Sequence, residues 1–353
     1  MEVYRIVIDA MGGDYAPEEI IKGAVRAAME SETLYCLFVG DEVQIRKYLD
    51  EYHLPSNRYE IVHCTEVIGM EESPREAVEN KPDASINVAA RLIRDNKGDA
   101  LVSAGSTGAT VMACSREIPR MGGIERAAFA AVLPSAKEGS TDPGFTIMLD
   151  VGATIHCTPN QLASFAIMGT HYAREVMGIS NPTVGLLNIG EEETKGHGTL
   201  IETYQLLKQM EVVQFSGNVE GKDIMRGSVD VIVTEGITGN IVLKALEGFA
   251  ELMMGTLKQI WKKGVFPKMG IAMLTPTLRR LKKRLDYSEY GGAPLLGFQK
   301  LIIKAHGRSK AKAIKNAVLL AEKSVEHQLV EKIESSMKEF YLRMFEHQPQ
   351  DEK

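Results

Sequence analysis

The sequence predicts an α/β protein in which helices cover both faces of a mostly parallel sheet, giving three layers, α/β/α. Short apolar runs alternate with segments of helical periodicity over most of the 353 residues, which is the pattern of consecutive βα units. Glycine or polar residues repeatedly follow the apolar runs, as expected where parallel strands end at one edge of a sheet. The aromatic fraction of 6% and the 32 glycines agree with many tight turns.

Apolar runs place the strands, and helical patterns lie between them. Pro17 followed by two glutamates suits the first turn of the first helix. The predicted strands are residues 3–9, 35–40, 59–64, 100–103, 128–133, 146–151, 183–188, 212–216 and 231–234, with a later strand that ends at Lys304. The predicted helices are residues 17–29, 41–52, 85–94, 159–177, 199–208 and 240–263, with a later helix from Lys312.

The C-terminal region predicts one more helix. Apolar residues recur at Val325, Leu329, Ile333 and Met337, which form one stripe of a helix over residues 325–345. This stripe packs either on its own subunit or on a partner subunit. We expect a single α/β/α domain over residues 1–330, with a possible division near residues 139–142, a protruding helical segment at 252–285 and a helical extension over residues 331–353.

Composition and charge argue against several classes of protein. The formal net charge of −6 does not suit a general nucleic-acid-binding protein. A strand begins almost at the first residue, and no apolar run is long enough to cross a bilayer, so we expect a cytoplasmic protein. The 4 cysteines are widely spaced and form no CxxC motif, which predicts buried thiols rather than a zinc site or disulfides.

The segment 101–110, LVSAGSTGAT, is the most informative stretch for chemistry. An apolar strand ends in a loop of small residues, and helical periodicity then starts at Ala109. Glycines let the backbone approach a ligand, hydroxyls donate hydrogen bonds, and the first helical turn offers unpaired N–H groups. The pattern predicts a phosphate or carboxylate site, and the alternative is a tight turn without a ligand. The candidate phosphate-binding residues are Gly105, Ser106, Thr107 and Gly108.

Similar polar turns follow other predicted strands, and this repetition favours a ligand site. Because the carboxyl ends of parallel strands meet at one edge of a sheet, we expect these turns to line a polar cleft. The residues are Asp9, Gly12, Gly13 and Asp14 after the first strand, Asn188 and Lys195 in the middle of the chain, and Gly239 and Asn240 at the start of a long helix.

Two motifs near residue 300 add cationic groups. Gly291 and Gly292 form a turn with polar neighbours, and Lys304 and His306 follow an apolar strand. Cationic side chains before a helix suit an anion, and we count Lys304 among the phosphate-binding candidates. His306 is a candidate general acid or base. The alternative is a turn histidine that hydrogen-bonds to the backbone.

Residues 252–285 contain nine lysines and arginines but no acidic residue. Prolines divide the stretch into two helical pieces that each have an apolar face. Such a basic amphipathic segment is typical of a surface for anionic lipid or for an acidic protein. The alternative is a helical hairpin that packs on the core and leaves a basic face in solvent. The candidate contact residues are Leu257, Trp261, Phe266, Arg279, Arg280, Lys282 and Lys283.

Taken in order, these motifs resemble those of the bacterial phosphate acyltransferase (PlsX) family over nearly the whole chain, to about Ala321. Each motif is weak alone, but the ordered set is highly specific. The motifs are DAMGGD at 9–14, SAGSTGA at 103–109, LDVGA at 149–153, LNIG at 187–190 with KG at 195–196, TGN at 238–240, DYSEYGG at 286–292 and KAHG at 304–307.

The resemblance implies that a fatty acyl group passes from acyl-acyl carrier protein to inorganic phosphate. The acyl phosphate would then serve a membrane glycerol-3-phosphate acyltransferase in phospholipid synthesis. The resemblance also implies a fold like those of phosphotransacetylase and isopropylmalate dehydrogenase, a homodimer, and peripheral attachment to the anionic surface of the cytoplasmic membrane. It calls for no cofactor and no metal.

In this reaction phosphate is the nucleophile, so the enzyme must hold the dianion, align it with a thioester carbonyl and stabilise an oxyanion. Phosphate holding is assigned to the loop at 105–108, helped by Lys195 or Lys304. The asparagine amides are candidates for donors to the oxyanion, and the histidine for protonation of the leaving thiolate. The candidate catalytic residues are Lys195, Asn188, Asn240 and His306.

Two other functions fit the predicted fold. An NAD- and metal-dependent decarboxylating dehydrogenase would need a compact carboxylate cluster beside a lysine and a tyrosine, whereas the acidic residues here are scattered over separate turns. A non-catalytic scaffold or sensor at the membrane surface would use residues 252–285 and keep the cleft for a ligand.

Overall fold

The computed structural model describes residues 3–136, 144–262, 264, 268, 273–275, 277–278 and 287–346. The strands are β1 (Tyr4–Asp9), β2 (Leu34–Gly40), β3 (Tyr59–His63), β4 (Ala100–Ser103), β5 (Ala128–Phe129), β6 (Ala131–Ser135), β7 (Gly144–Leu149), β8 (Thr183–Leu187), β9 (Gln214–Val219), β10 (Val231–Val233), β11 (Ala293–Leu296) and β12 (Leu301–Lys304). The helices are α1 (Glu18–Glu30), α2 (Glu42–Tyr52), α3 (Pro74–Asn80), α4 (Ser85–Arg94), α5 (Thr107–Glu117), α6 (Pro159–His171), α7 (Gly198–Gln209), α8 (Gly221–Ile224), α9 (Gly236–Trp261), α10 (Ala311–Glu326) and α11 (Leu329–Glu346).

The strands form two largely parallel sheets. The first has seven strands in the order β3-β2-β1-β4-β12-β11-β5, and the second has five in the order β6-β7-β10-β8-β9. In the first sheet, Ile8 of β1 pairs in parallel with Phe38 on one side and Val102 on the other. The antiparallel pairs lie near β5 and β6, where β11 pairs with β12 and β5, and β6 pairs with β7. The predicted α/β class is therefore confirmed, with the strands divided between two sheets.

The chain passes from one sheet to the other within the run predicted as a single strand at 128–133. The run is interrupted at Ala130, whose N–H donates to the carbonyl of Pro294 (3.0 Å). Phe129 pairs with Leu295 in the first sheet, whereas Ala131 pairs with Met148 in the second. The apolar run is continuous in sequence because both halves are buried, and only their distant partners separate β5 from β6.

Several helix ends differ from the predicted ones. The helix predicted at 159–177 is α-helical to His171 and continues as a π-helical turn at Tyr172–Val176. The helix predicted from Asn240 begins at Gly236. The glycines in its first turn allow it to pack closely on the loop after β7. The predicted stripe at 325–345 is broken where Gln328 has a φ of 54°, so Val325 belongs to α10. Helices α3 and α8 and strand β11 are additional elements.

The core lies on both faces of the sheets, as three-layer packing requires. On β1, Ile6 and Ile8 are buried against one layer of helices, and Val7 is buried against the other. The four cysteines are buried free thiols, as predicted, and burial raises the pKa of Cys36 and Cys157 to about 12. The possible division near residues 139–142 lies outside the described residues.

Helix α11 packs on α6 of the same chain. Its apolar stripe, which includes Leu329, Ile333 and Met337, is fully buried. At this contact His171 Nε2 lies 2.8 Å from Ser336 Oγ. Burial, together with the charge of Arg174, lowers the pKa of the His171 imidazole to about 4.

We expect the free energy of unfolding to fall when the solution is acidified from about pH 6.5 towards pH 4. In this range the unfolded chain binds a proton on His171 that the folded chain does not, so acid favours unfolding. The loss reaches about 3 kcal/mol when the shift from the ordinary value is complete. Urea unfolding of the wild type and of His171→Gln, followed across this range, checks the prediction.

The free energy of unfolding of His171→Gln should depend less on pH than that of the wild type. His327→Gln, at the exposed residue that follows the last turn of α10, is the control and should follow the wild type. Equal pH dependence in all three proteins would contradict the assignment to His171.

Candidate active site

The turn between β4 and α5 is held against the turn after β1. Ser103 Oγ donates a hydrogen bond to Asp9 Oδ2 (2.6 Å) and accepts one from the N–H of Gly105 (3.1 Å). A Cβ at Gly12 would lie 2.4 Å from Asp9 Oδ2 and 2.8 Å from the Gly105 nitrogen. Because those atoms cannot move without breaking the turn, position 12 requires glycine. The contact fixes the start of α5 at Thr107.

Helix α5 offers free backbone donors at this point. By position, the first N–H groups of a helix have no acceptor within the helix, and here Thr110 is the first residue whose N–H bonds back, to the Ser106 carbonyl (2.9 Å). No side-chain cap hydrogen bond covers the start of α5. The N–H groups of Thr107, Gly108 and Ala109 therefore remain available for an anion.

Strand β12 places a buried lysine beside this helix start, because Lys304 pairs with Ser103 of β4. Lys304 is only 7% exposed, and its Nζ donates to the carbonyl of Ala305. Burial lowers the pKa of Lys304 to about 8, and the nearby carboxylates of Asp9 and Asp14 act in the opposite direction. Burial also raises the pKa of Asp9 above its usual value. A cation in this position gains stabilisation from any anion that enters.

His306 follows two residues after Lys304 and is exposed to the cleft. Its Nδ1 accepts the backbone N–H of Arg308 (3.1 Å), so the neutral ring carries its proton on Nε2. Partial burial and the charge of Lys244 lower the pKa of His306. The ring is therefore mainly neutral at neutral pH and acts as an N–H donor rather than as an imidazolium.

A cavity of about 620 Å³ lies between these elements and the second sheet. Its charged and polar lining comes from the turn after β1, the start of α5, the region after β12 and the first turns of α9. Its apolar lining comes from β5, β6, β11 and the first residue after Asp150. The lining includes Asp14, Met70, Glu71, Thr107, Phe129, Ala131, Val132, Val151, Gly152, Asn240, Leu243, Lys244, Glu247, Tyr290, Gly292, Ala293, Lys304, His306 and Arg308.

The second sheet positions Asn240 through the buried carboxylate of Asp150. Asp150 accepts the N–H groups of Phe129, Gly152, Ala153 and Thr154 at 2.6–3.0 Å. Burial raises the pKa of this carboxyl, and the four N–H donors lower it. The loop ordered in this way forms the surface on which the first turn of α9 packs.

Two glycines let α9 approach the loop after Asp150 closely. A Cβ at Gly239 would lie 1.9 Å from the carbonyl oxygen of Asp150, and one at Gly236 would lie 2.2 Å from the carbonyl oxygen of Thr154. Both obstacles are backbone atoms, so neither position accepts a side chain without displacement of the helix. This close approach directs Asn240 into the cavity.

The predicted site residues fall into three groups. The large cavity brings together Thr107, Asn240, Lys304, His306, Asp14 and Gly292. A separate cavity of about 10 Å³ lies behind α5 and is lined by Asp9, Gly12, Gly105 and Ser106. Of the glycines around these two cavities, Gly13 and Gly291 lie in turns, and Gly291 packs against the backbone of Asn316. Gly108 and Gly239 lie in the first turns of α5 and α9.

Asn188 and Lys195 form the third group and do not line the large cavity. Asn188 Nδ2 donates to the Lys195 carbonyl (2.9 Å), and its Oδ1 accepts the Ile189 N–H (2.8 Å). The amide therefore closes the loop after β8. The Lys195 Nζ lies 4.0 Å from Glu192, and its side chain is about half exposed. A role for either residue in the reaction stays a prediction.

Sequence reasoning missed some lining residues. Asn240, Lys244 and Glu247 are spaced by four and three residues, so they share one face of α9. Asn240 was predicted, and this spacing within the predicted helix would have indicated Lys244 and Glu247 as well. Met70 and Glu71 precede α3, which was not predicted, and their sequence carries no comparable signal.

The basic segment lies apart from the cavity where it is described. Leu257 is half-buried and Trp261 is 43% exposed, both at the C-terminal end of α9. Phe266, Arg279, Arg280, Lys282 and Lys283 lie outside the described residues. Within the described helices, none has both the length and the apolar character needed to cross a membrane.

The fold and the cavity together define an α/β protein with a buried lysine and an uncapped helix start beside an apolar wall. Solved structures of two acyl-transferring enzymes share this fold. A phosphotransacetylase from Streptococcus pyogenes aligns with a TM-score of 0.60 and 17% identity over 92% of this chain and 94% of that one. A branched-chain phosphotransacylase from Enterococcus faecalis V583 aligns with a TM-score of 0.55 and 15% identity over 92% of this chain and 100% of that one.

Sequence comparison gives the family. The fatty acid synthesis protein family matches residues 4–332, and the chain belongs to it. A phosphate acyltransferase from Pelotomaculum thermopropionicum is 48% identical over 333 residues, covering 94% of this chain and 95% of the relative. One from Gloeothece citriformis is 45% identical over 331 residues, covering 94% and 93%. The predicted family and the predicted enzyme class, phosphate acyltransferase, are confirmed. Neither the dehydrogenase nor the scaffold is favoured.

Proposed function

We propose that this enzyme transfers a fatty acyl group from acyl-acyl carrier protein to inorganic phosphate. A phosphate oxygen forms a bond to the thioester carbonyl carbon, the carbon–sulfur bond breaks, and the carrier leaves as its thiolate. The observation that carries the proposal is the pairing, in one cavity, of the free start of α5 and buried Lys304 with an apolar wall.

Phosphate binds between α5 and β12 in this proposal. The N–H groups of Thr107 and Gly108 donate to its oxygens, and the Thr107 hydroxyl adds a further donor. Lys304 supplies the positive charge, because an incoming dianion favours its protonated form. The pKa of Lys304 therefore rises when phosphate binds.

The remaining cavity residues stabilise the oxyanion that forms on the thioester carbonyl. Asn240 projects from the opposite wall, and His306 Nε2 carries a proton for donation. Fixed donors of this kind stabilise charge that develops during the reaction. The leaving thiolate needs little help, because a thiol with an ordinary pKa of about 8.5 is a good leaving group near neutral pH. His306 thus serves better as a hydrogen-bond donor than as an acid.

Mass spectrometry provides the direct test. Purified protein is mixed with palmitoyl-acyl carrier protein, with and without phosphate, and the acyl phosphate is measured. Product that depends on phosphate supports the proposal. Carrier protein that binds without product would favour a sensor or scaffold, and the absence of both would contradict the proposed substrates.

The acyl phosphate leads us to propose peripheral attachment to the anionic membrane surface, where a glycerol-3-phosphate acyltransferase would receive it. The described end of α9 exposes Trp261 and Leu252 beside Lys258 and Lys262, and an apolar edge with adjacent cations suits anionic lipid. The cations at 279–284 could dock the acidic carrier protein as well.

Vesicles that contain anionic lipid should sediment the wild-type protein, and Leu257→Glu should abolish this binding. The substitution places a negative charge in the apolar face that would enter the lipid. Leu342→Glu, at an exposed position of α11, is the matched control and should bind like the wild type. Undiminished binding of Leu257→Glu would overturn the proposed contact.

We also propose a homodimer. Ile237 and Ile241 are exposed on one face of α9, and a second copy of the chain would cover them. Sedimentation equilibrium of the wild type tests this, and a monomer mass at all concentrations would contradict it.

A further inference from the structure

A second cavity, of about 260 Å³, lies between α10 and the π-helical turn that follows α6. Apolar side chains from both elements form most of its wall. Its lining residues are Val132, Tyr172, Val176, Met177, Glu289, Tyr290, Asn316, Leu319, Leu320 and Lys323. Nothing in the proposed reaction has used this space so far.

The second cavity adjoins the first. Val132 and Tyr290 line both of them, so these two side chains form the boundary. Val132 belongs to β6, the last strand of its sheet, and β5 is the last strand of the other sheet. The space therefore passes around the edge of the second sheet, where no further strand of the described part of the chain closes it.

The larger cavity is polar at one end and apolar at the end that meets the second cavity. Lys304, His306 and Thr107 belong to the polar end, whereas Ala131 and Val132 lie on the apolar strand β6. A substrate with a reacting polar head and a long apolar tail fits this order. The head would lie near Lys304 and the tail would point towards Val132.

The polar groups around the second cavity are mostly engaged. Lys323 Nζ donates to the Val176 carbonyl (2.5 Å), and Asn316 Nδ2 donates to the Ser288 carbonyl (2.8 Å). Glu289 accepts from Lys312 (2.5 Å). The hydroxyl of fully buried Tyr172 has no hydrogen-bond partner among the described residues. One hydroxyl is a weak basis for recognition of a polar ligand, and apolar side chains make up much of the wall: Val132, Val176, Met177, Leu319 and Leu320.

We propose that the second cavity holds the far end of the acyl chain, and that Val132, Leu319 and Leu320 determine which chain lengths the enzyme accepts. The inference rests on the proposed function for the identity of the substrate. The volume of the second cavity admits roughly nine methylene groups, if each occupies about the 30 Å³ of a water molecule. Burial of these groups would favour long chains over short ones.

The test compares hexadecanoyl- and hexanoyl-acyl carrier protein as donors. For Leu320→Trp, which fills the second cavity, the ratio of kcat/KM for the long donor to that for the short one should fall about tenfold or more, because several methylene groups are left in water. Val132→Phe, at the boundary, should lower the same ratio. Leu342→Trp, exposed on α11, is the control and should keep the wild-type ratio.

Calorimetric binding of both donors without phosphate separates this inference from the proposed function. If the wild type makes no acyl phosphate but Leu320→Trp selectively loses affinity for the long donor, the function fails and the acyl cavity stands. If the wild type is active and neither filling variant changes the ratio, the cavity assignment fails. A loss of affinity for the long donor in Tyr172→Phe would also overturn the cavity assignment, because removal of one hydroxyl should not weaken the binding of an apolar acyl chain. Circular dichroism identifies any variant that does not fold, and the remaining variants then decide.

Discussion

Lys304→Met will reduce acyl transfer to phosphate by about 10²–10³-fold, the range seen when one donor to a reacting anion is removed. The side chain lies in the wall of the cavity, on the strand next to the one that leads into α5, and provides a buried cation there. Methionine keeps the length and volume of the side chain but removes its charge. The loss should be largest at low phosphate concentration, and kcat/KM for phosphate is the quantity to measure.

The stability of the same variant should not fall. A lysine whose pKa is lowered to about 8 is protonated at neutral pH at a cost of about 3 kcal/mol relative to the unfolded chain, and methionine removes that cost. A melting temperature equal to or above that of the wild type is therefore expected. Lys338→Met, on the surface of α11, controls for the loss of a lysine and should retain full activity.

The pH dependence of the wild type provides a second check. Lys304 loses its proton as the pH rises through about 8, so kcat/KM for phosphate should decline above that value. Lys304→Met should lack this decline, since no group titrates at position 304. Full activity of the variant, or an unchanged pH profile, would remove Lys304 from the site.

Gly239→Ala should produce the second large effect, on both stability and turnover. The new Cβ would lie 1.9 Å from the Asp150 carbonyl oxygen, an atom of the backbone. Overpacking of this kind costs about 1–3 kcal/mol. Because α9 must shift to relieve the contact, Asn240 moves, and a displacement of about 1 Å can cost about 10²-fold in rate. Urea unfolding and acyl phosphate formation measure the two effects.

Gly248→Ala on the same helix is the matched control. Nothing lies within 4 Å of a Cβ at that position, and alanine favours a helix over glycine by about 0.5–1 kcal/mol. This variant should therefore be slightly more stable and fully active. If Gly239→Ala behaves like Gly248→Ala, then the packing of α9 on the Asp150 loop does not position the site.

The sequence identifies those site residues whose position follows from the βα pattern. Thr107 begins a helix after a strand, and Lys304 ends a strand, so both lie at the edge where ligands bind. Asn240 was predicted for the same reason, although its helix begins four residues earlier. In each case a local pattern fixes the end of an element, and the parallel sheet brings those ends together.

Other features depend on contacts between distant residues and could not be predicted in this way. The run at 128–133 has uniform apolar character, yet its two halves pair with Leu295 and with Met148 in different sheets. Asn188 occupies the same kind of position as Asn240, but its amide bonds to the Lys195 carbonyl within its own loop. Only the folded loop shows that this amide is already in use.

The Asp150 carboxylate also ties the two halves of the molecule together. It accepts the N–H of Phe129, on an edge strand of the first sheet, and those of Gly152 and Thr154, in the loop after β7 of the second sheet. A second hydrogen bond joins the same residues' neighbourhood, because the Phe129 carbonyl accepts the N–H of Val151 (3.2 Å). Separating the sheets at this point would leave a buried charge without its donors, so the gap between them has a fixed width there. We therefore expect a substrate to enter lengthwise through the opening of the cavity, with its tail first. Binding would involve no hinge movement that separates the two sheets and closes them again.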